Sequence, residues 1–139
     1  MKENWNKDFK NIKFPTIESF LSSHDISSSN FHIVIGKSID EYPKFTVTFK
    51  DYLSHRSHEE TEFQFDSFVK EGALKETNCL VLDHSDWLKS MSSAIEFLYK
   101  NNKLRHFIFA GGDNIVEVIT DSDPIVSIVS EPQTFEYKI

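Results

Sequence analysis

The run His106-Phe-Ile-Phe-Ala-Gly-Gly-Asp-Asn-Ile-Val-Glu-Val-Ile-Thr120 decides the fold class. Two apolar segments of strand length, 106–110 and 115–120, flank Gly111-Gly112-Asp113-Asn114. A Gly-Gly pair permits the positive φ that a tight turn between antiparallel strands requires. Downstream, Ile125 to Val129 and Thr134 to Tyr137 repeat the pattern, set off by Asp121-Ser122-Asp123-Pro124 and Glu131-Pro132-Gln133. Turns this short force successive strands antiparallel, so the C-terminal third predicts a meander.

Working upstream, Leu80-Val81-Leu82 reads as a short buried strand. The strongest helical pattern in the chain follows it. Ser85 is a good N-cap, Asp86 suits the positive end of the dipole, and Trp87, Leu88, Met91, Ala94, Ile95 and Leu98 trace one stripe. A strand at 79–83, a helix over 85–101 and a strand at 106–110 have the length of a right-handed crossover, which predicts a parallel pair. Nearer the N-terminus, Thr16 can cap a short helix through Ile17, Phe20 and Leu21. Ser27-Ser28-Ser29-Asn30 reads as a loop and Phe31 to Ile35 as a strand. Lys44 to Lys50 alternates with period two, placing Phe45, Val47 and Phe49 on one face. Glu60 to Phe65 alternates again, with Ser54 to His58 as the hairpin tip between them. Asp66 can open another short helix through Leu74. The expectation is α+β: a mixed, largely antiparallel sheet with one long helix at about 85–101 and one or two short helices packed on it. Residues 1–139 are expected to form a single globular domain, with 1–12 loosely packed.

The 139 residues include thirteen Phe and are 39% hydrophobic and 27% charged, which fits a packed core and not a disordered chain. The single cysteine, Cys79, excludes an intrachain disulfide and with it a disulfide-stapled scaffold. The first residues lack a signal-peptide pattern, and no apolar run reaches membrane-spanning length. A cytoplasmic location is expected.

Charge is unevenly placed. Residues 1–58 carry eight Lys/Arg against seven Asp/Glu, whereas 59–139 carry seven against fifteen, for a net charge of -7. An acidic domain repels nucleic acid and anionic membranes and attracts basic partners. Catalytic signatures for serine hydrolases, thiol proteases, kinases and nucleotide folds are missing. His55-x-x-His58-Glu59-Glu60 has metal-ligand residue types without a recognisable zinc spacing. Asp83-His84-Ser85-Asp86 lies at a strand-to-helix junction, but helix capping accounts for Ser85 and Asp86. Cys79 beside Leu80 to Leu82 reads as a buried thiol. Glu117 interrupts an otherwise apolar strand: buried, it needs a partner, for which Arg105 is the candidate; exposed, it meets solvent or another molecule.

One cysteine, acidic turns, no catalytic motif and many Ser, Asn and Lys residues give a general character. In that character the chain resembles the small acidic immunity proteins of bacterial polymorphic-toxin and contact-dependent inhibition systems. The resemblance implies a non-catalytic domain that binds and blocks a cognate toxin domain, often a nuclease. It assigns no residue. The charge pattern itself nominates Asp113, Glu117, Asp121, Asp123 and Glu131 as the partner-binding set. The expected partner is a basic protein; no cofactor, nucleic acid, membrane or small-molecule ligand is expected. Two alternatives stand beside this one. The first is a small metal-dependent enzyme built on Asp83 and His84 with His55 or His58. The second is an oligomeric scaffold that pairs along a sheet edge at 134–138.

Overall fold

The computed structural model describes residues 16–23, 29–36, 44–59, 69, 73, 77–91, 104–111 and 114–129. In chain order the elements are β1 (Thr16–Ser23), β2 (Ser29–Gly36), β3 (Lys44–Lys50), β4 (Ser54–Glu59), β5 (Cys79–Leu82), α1 (Asp86–Ser90), β6 (Arg105–Gly111), β7 (Asn114–Thr120) and β8 (Ile125–Val129). The strands make two four-stranded sheets, β1-β2-β3-β8 and β4-β7-β6-β5. Every pairing is antiparallel.

Alternation along the strands sets the layers. Phe45, Val47 and Phe49 of β3 are buried, while Lys44, Thr46 and Thr48 are partly exposed. Directly opposite in β2 stand Ile35, Ile33 and Phe31. Cys79, Phe107, Phe109, Val116 and Val118 of the second sheet join the same apolar core. Phe49 meets Phe107 and Phe109 edge-on, with ring centroids 5.1 and 5.8 Å apart. The two sheets therefore pack face to face, and the phenylalanines fill the space between them.

The second sheet is covered on its other face too. There Ile108, Ala110 and Ile115 form a second apolar cluster with Leu80, Leu82 and Val69. α1 lies against this face through Trp87, whose ring stands edge-on to His106 at 5.1 Å. Coverage on both faces explains why β6 is buried along its whole length and β7 everywhere except Asn114.

The expected α+β class is overturned: the described elements are almost all strand. The helix expected to run over 85–101 ends at Ser90 after five residues, and Met91 has already left helical backbone at φ -66°, ψ 134°. Ser90 Oγ donates to the Trp87 carbonyl at 2.7 Å, and Ser92 and Ser93 follow. Hydroxyl side chains that compete for backbone groups make poor helix interiors. β6 starts opposite the end of β5, with Leu82 facing His106. That pair is antiparallel, not a parallel crossover. Residues 16–23 form a strand rather than a helix, pairing with β2 over all eight positions; the Ile17/Phe20/Leu21 spacing suits either element, and strand pairing prevails. Ser29 and Asn30 belong to β2 rather than to a loop, and Ser54 to His58 is strand β4 rather than a hairpin tip.

The meander also stops one strand early. β7 already has β4 and β6 on its two sides, so residues 121–124 carry the chain across to β3. The strands expected at 60–65 and 134–137 lie outside the described residues, as do residues 92–103 and all of the 66–74 helix except Val69 and Ala73. Among the described residues, no helix is long and apolar enough to cross a membrane.

Candidate functional site

The only carboxylate at the centre of β7 gathers the main polar cluster of the described structure. Glu117 is fully buried. Its neighbours across the sheet are Arg56 on β4 and Ile108 on β6. Arg56 clamps the carboxylate with two bonds, Nε to Oε2 at 2.6 Å and Nη2 to Oε1 at 3.0 Å. His58 Nε2 reaches Oε2 at 2.6 Å, and His106 Nε2 reaches Oε1 at 2.7 Å. Four donors thus fill the acceptor capacity of an ionised carboxylate. Burial by itself raises the Glu117 pKa. The hydrogen bonds from His106 and Arg56, the Arg56 charge and the His58 bond overcome that penalty and bring it from 4.5 down to about 2.

The cluster continues to α1. His106 Nδ1 lies 2.8 Å from Ser85 Oγ, and Ser85 Oγ accepts the Leu88 N–H at 3.0 Å as the helix N-cap. The hydrogen-bond network assigns the protons. Glu117 can only accept, so His106 Nε2 donates to it; in the neutral ring Nδ1 then accepts the Ser85 hydroxyl proton. Trp87 roofs the group, with the Arg56 guanidinium 4.0 Å from its ring centroid.

A serine, an imidazole and a carboxylate in series have the order of a nucleophile, its base and the group that orients the base. Here the series is turned inward. Ser85 is 2% exposed and His106 and Glu117 are fully buried. The hydroxyl is already held by the helix N-terminus and Glu117 is saturated by other donors. What this arrangement does physically is bind β4, β6, β7 and α1 together through one ionised side chain. Nor does it make a metal centre. Among the described residues no group of three His, Cys, Asp or Glu side chains could hold an ion; the imidazole Nε2 atoms donate to the carboxylate instead of sharing a cation with it.

The structure separates the residues nominated from sequence. Glu117 is withdrawn from the partner-binding set, because a fully buried carboxylate with four donors cannot meet another protein. Its partners are Arg56, His58 and His106, not Arg105. Arg105 stands opposite Thr120 and on the other face of β6 from His106, where it bonds Asp123. His55 and His58, three positions apart on a strand, point to opposite faces. His55 stacks on Phe31 between the sheets at 4.4 Å, so the two imidazoles cannot share one metal ion. Asp83, His84 and Asp86 are exposed around the start of α1 and Cys79 is buried. Asp113 and Glu131 lie outside the described residues.

Asp121 and Asp123 do find company. β5 ends and β6 begins at the same end of the second sheet, where β7 also ends and β4 begins. The links that cross between the sheets, 51–53 and 121–124, both lie there, since Ser54 pairs with Ile119 and Ile125 with Thr48. Asp51, Asp83, Asp121 and Asp123 consequently share one end of the sandwich. Of these, Asp51, Asp83 and Asp123 are exposed and Asp121 is half-buried. Asp51 makes its crossing with φ 52°, a conformation that Asp tolerates better than most residues. The described cations near this end include exposed Lys50, buried Arg105 and exposed Lys89 of α1, the helix that begins just after Asp83. The Gly111–Asn114 end of the β6–β7 hairpin is the opposite one.

Arg56 and His106 were missed by sequence reasoning. The available signal was that Arg56 and His58 are two apart, as are Ile115, Glu117 and Ile119, so each group shares one face of a strand. Compared with known proteins, the chain matches no family model, no curated protein and no solved structure.

Proposed function

We propose that this chain is a non-catalytic protein-binding domain that neutralises a basic partner in the cytoplasm, in the manner of an immunity protein holding a cognate toxin domain. The observation that carries this reading is the convergence of Asp51, Asp83, Asp121 and Asp123 on one end of the sandwich. Oriented like charges raise the association rate with a surface of opposite sign and exclude acidic competitors. The contact set is accordingly revised. Asp121 and Asp123 stay in it, Asp51 and Asp83 join it, and Glu117 leaves.

The pairing of Asp123 with Arg105 changes how the idea is tested. Reversing Asp123 to lysine sets a second cation beside a buried guanidinium and disturbs folding along with binding. Asp121→Lys is the cleaner probe. The partner to use is the product of the gene adjacent to the one encoding this chain, titrated calorimetrically at low and moderate salt. Asp121→Lys is expected to weaken binding by roughly tenfold, mostly through a slower association rate, with the gap shrinking as salt rises. Equal affinity for the variant and the native chain at low salt would remove this end from the interface.

A further inference from the structure

The acidic end runs directly into β8, and β8 differs from the other strands at the sheet edges. The four described edge strands are β1, β8, β4 and β5. β1 carries Glu18, β4 carries Arg56 and Glu59, and β5 has only four residues. Charge and shortness are the ordinary protections of a sheet edge against pairing with another chain. β8, Ile125-Val-Ser-Ile-Val129, carries no charge and is one residue longer than β5. Among the described residues no strand lies on its far side.

Its side chains add a second observation. Ile125 is 52% exposed and Ile128 is 61% exposed, the two large apolar residues left to solvent among those described. They lie on opposite faces of the strand: Ile125 stands across from Thr48 on the outer face, and Ile128 across from Phe45 on the core face. A partner laid flat on either face of the sheet would cover one isoleucine and leave the other wet. A chain running along the edge reaches both.

Resting on the binding function proposed above, we infer that the partner engages this domain by strand addition. An extended basic segment pairs its backbone with β8, covers Ile125 and Ile128 from the two sides, and sets its cations against Asp121 and Asp123. Main-chain bonds supply much of the affinity in this mode, and alternate side chains supply selectivity. Charge favours a basic occupant over a second copy of this chain, because two chains of net charge -7 repel each other.

The test uses the full chain and four short peptides: one alternating valine with lysine, one alternating valine with glutamate, and the lysine peptide N-methylated at either set of alternate amides. Binding is read by fluorescence anisotropy and by amide shifts of residues 124–129. The lysine peptide should bind and move those amides; the glutamate peptide and one of the two N-methylated peptides should each bind roughly tenfold more weakly or less. Ile128→Lys and Ile128→Ser, both at a solvent-exposed position, should weaken binding with unchanged melting temperature. Equal binding of both N-methylated peptides, together with a loss in Asp121→Lys, would refute strand addition and leave the acidic end as the binding surface. Equal binding of the lysine and glutamate peptides would refute a basic occupant. Absence of any peptide binding would overturn the inference, and the salt-dependent titration of the whole partner would then judge the acidic end separately. Dimerisation of the native chain that Ile128→Lys abolishes would make a second copy the occupant and overturn it as well.

Discussion

Glu117→Gln keeps the shape of the buried side chain and removes its charge, which makes it the sharpest probe of the polar cluster. The native carboxyl is held at about 2 against an ordinary 4.5, and at roughly 1.4 kcal/mol per pH unit this corresponds to about 3 kcal/mol of stability. The sign follows from proton uptake. Between these two values the unfolded chain binds the proton and the folded one does not. The contribution is therefore complete above about 4.5 and is lost as the pH falls toward 2. At pH 7 the variant leaves the Arg56 charge uncompensated and turns one amide donor toward donors, so it should be less stable by about 3 kcal/mol, at the lower edge of what losing one member of a buried ion pair costs. For a chain of this size that lowers the melting temperature by about 10 °C. Urea titrations from pH 7 down to pH 3, followed by Trp fluorescence, would measure the gap between the two proteins. It should be widest near neutrality and narrow steadily below pH 4.5. A gap that does not change with pH would refute the claim that Glu117 is ionised and held by those donors.

Two further substitutions examine the supports of the same architecture. Ser85→Ala removes the N-cap of α1 and leaves buried His106 Nδ1 without its donor, and should cost about 2–3 kcal/mol by urea titration; a loss under 1 kcal/mol would mean that the two roles are not both filled by this hydroxyl. Phe49→Ala opens a void against Phe107 and Phe109 and should cost about 3–5 kcal/mol, and a smaller loss would indicate that the sheets close over the gap.

Strands whose signals are local were legible in the sequence. The Gly-Gly pair placed the β6–β7 hairpin, and the alternation of Phe45, Val47 and Phe49 gave both β3 and its buried face. Pairing decided at long range was not legible. β8 reads as the next strand of a meander until one counts the neighbours of β7, and those neighbours include a strand that was taken for a hairpin tip. β4 was misread because it lacks an apolar face: the residues facing the same side as Glu117 are Arg56 and His58, whose role depends on a carboxylate some sixty positions away. The stripe from Trp87 to Leu98 has helical spacing, yet α1 ends at Ser90, whose hydroxyl bonds the Trp87 carbonyl. Glu117 itself was flagged as a residue that must be either paired or exposed. The structure selects the first alternative and supplies three partners where one had been named.

The order in which the strands enter the two sheets has a consequence during synthesis. β1, β2 and β3 are made first, but the strand that completes their sheet leaves the ribosome after all four strands of the other sheet. Until then the flank of β3 has no neighbour, and the core beside Val47 awaits Val126, which packs against it from β8. Contacts this distant along the chain close slowly. The nascent protein should remain vulnerable to proteases and to premature association until residues 125–129 have emerged, and a ribosome stalled before residue 125 would display an unfinished sheet.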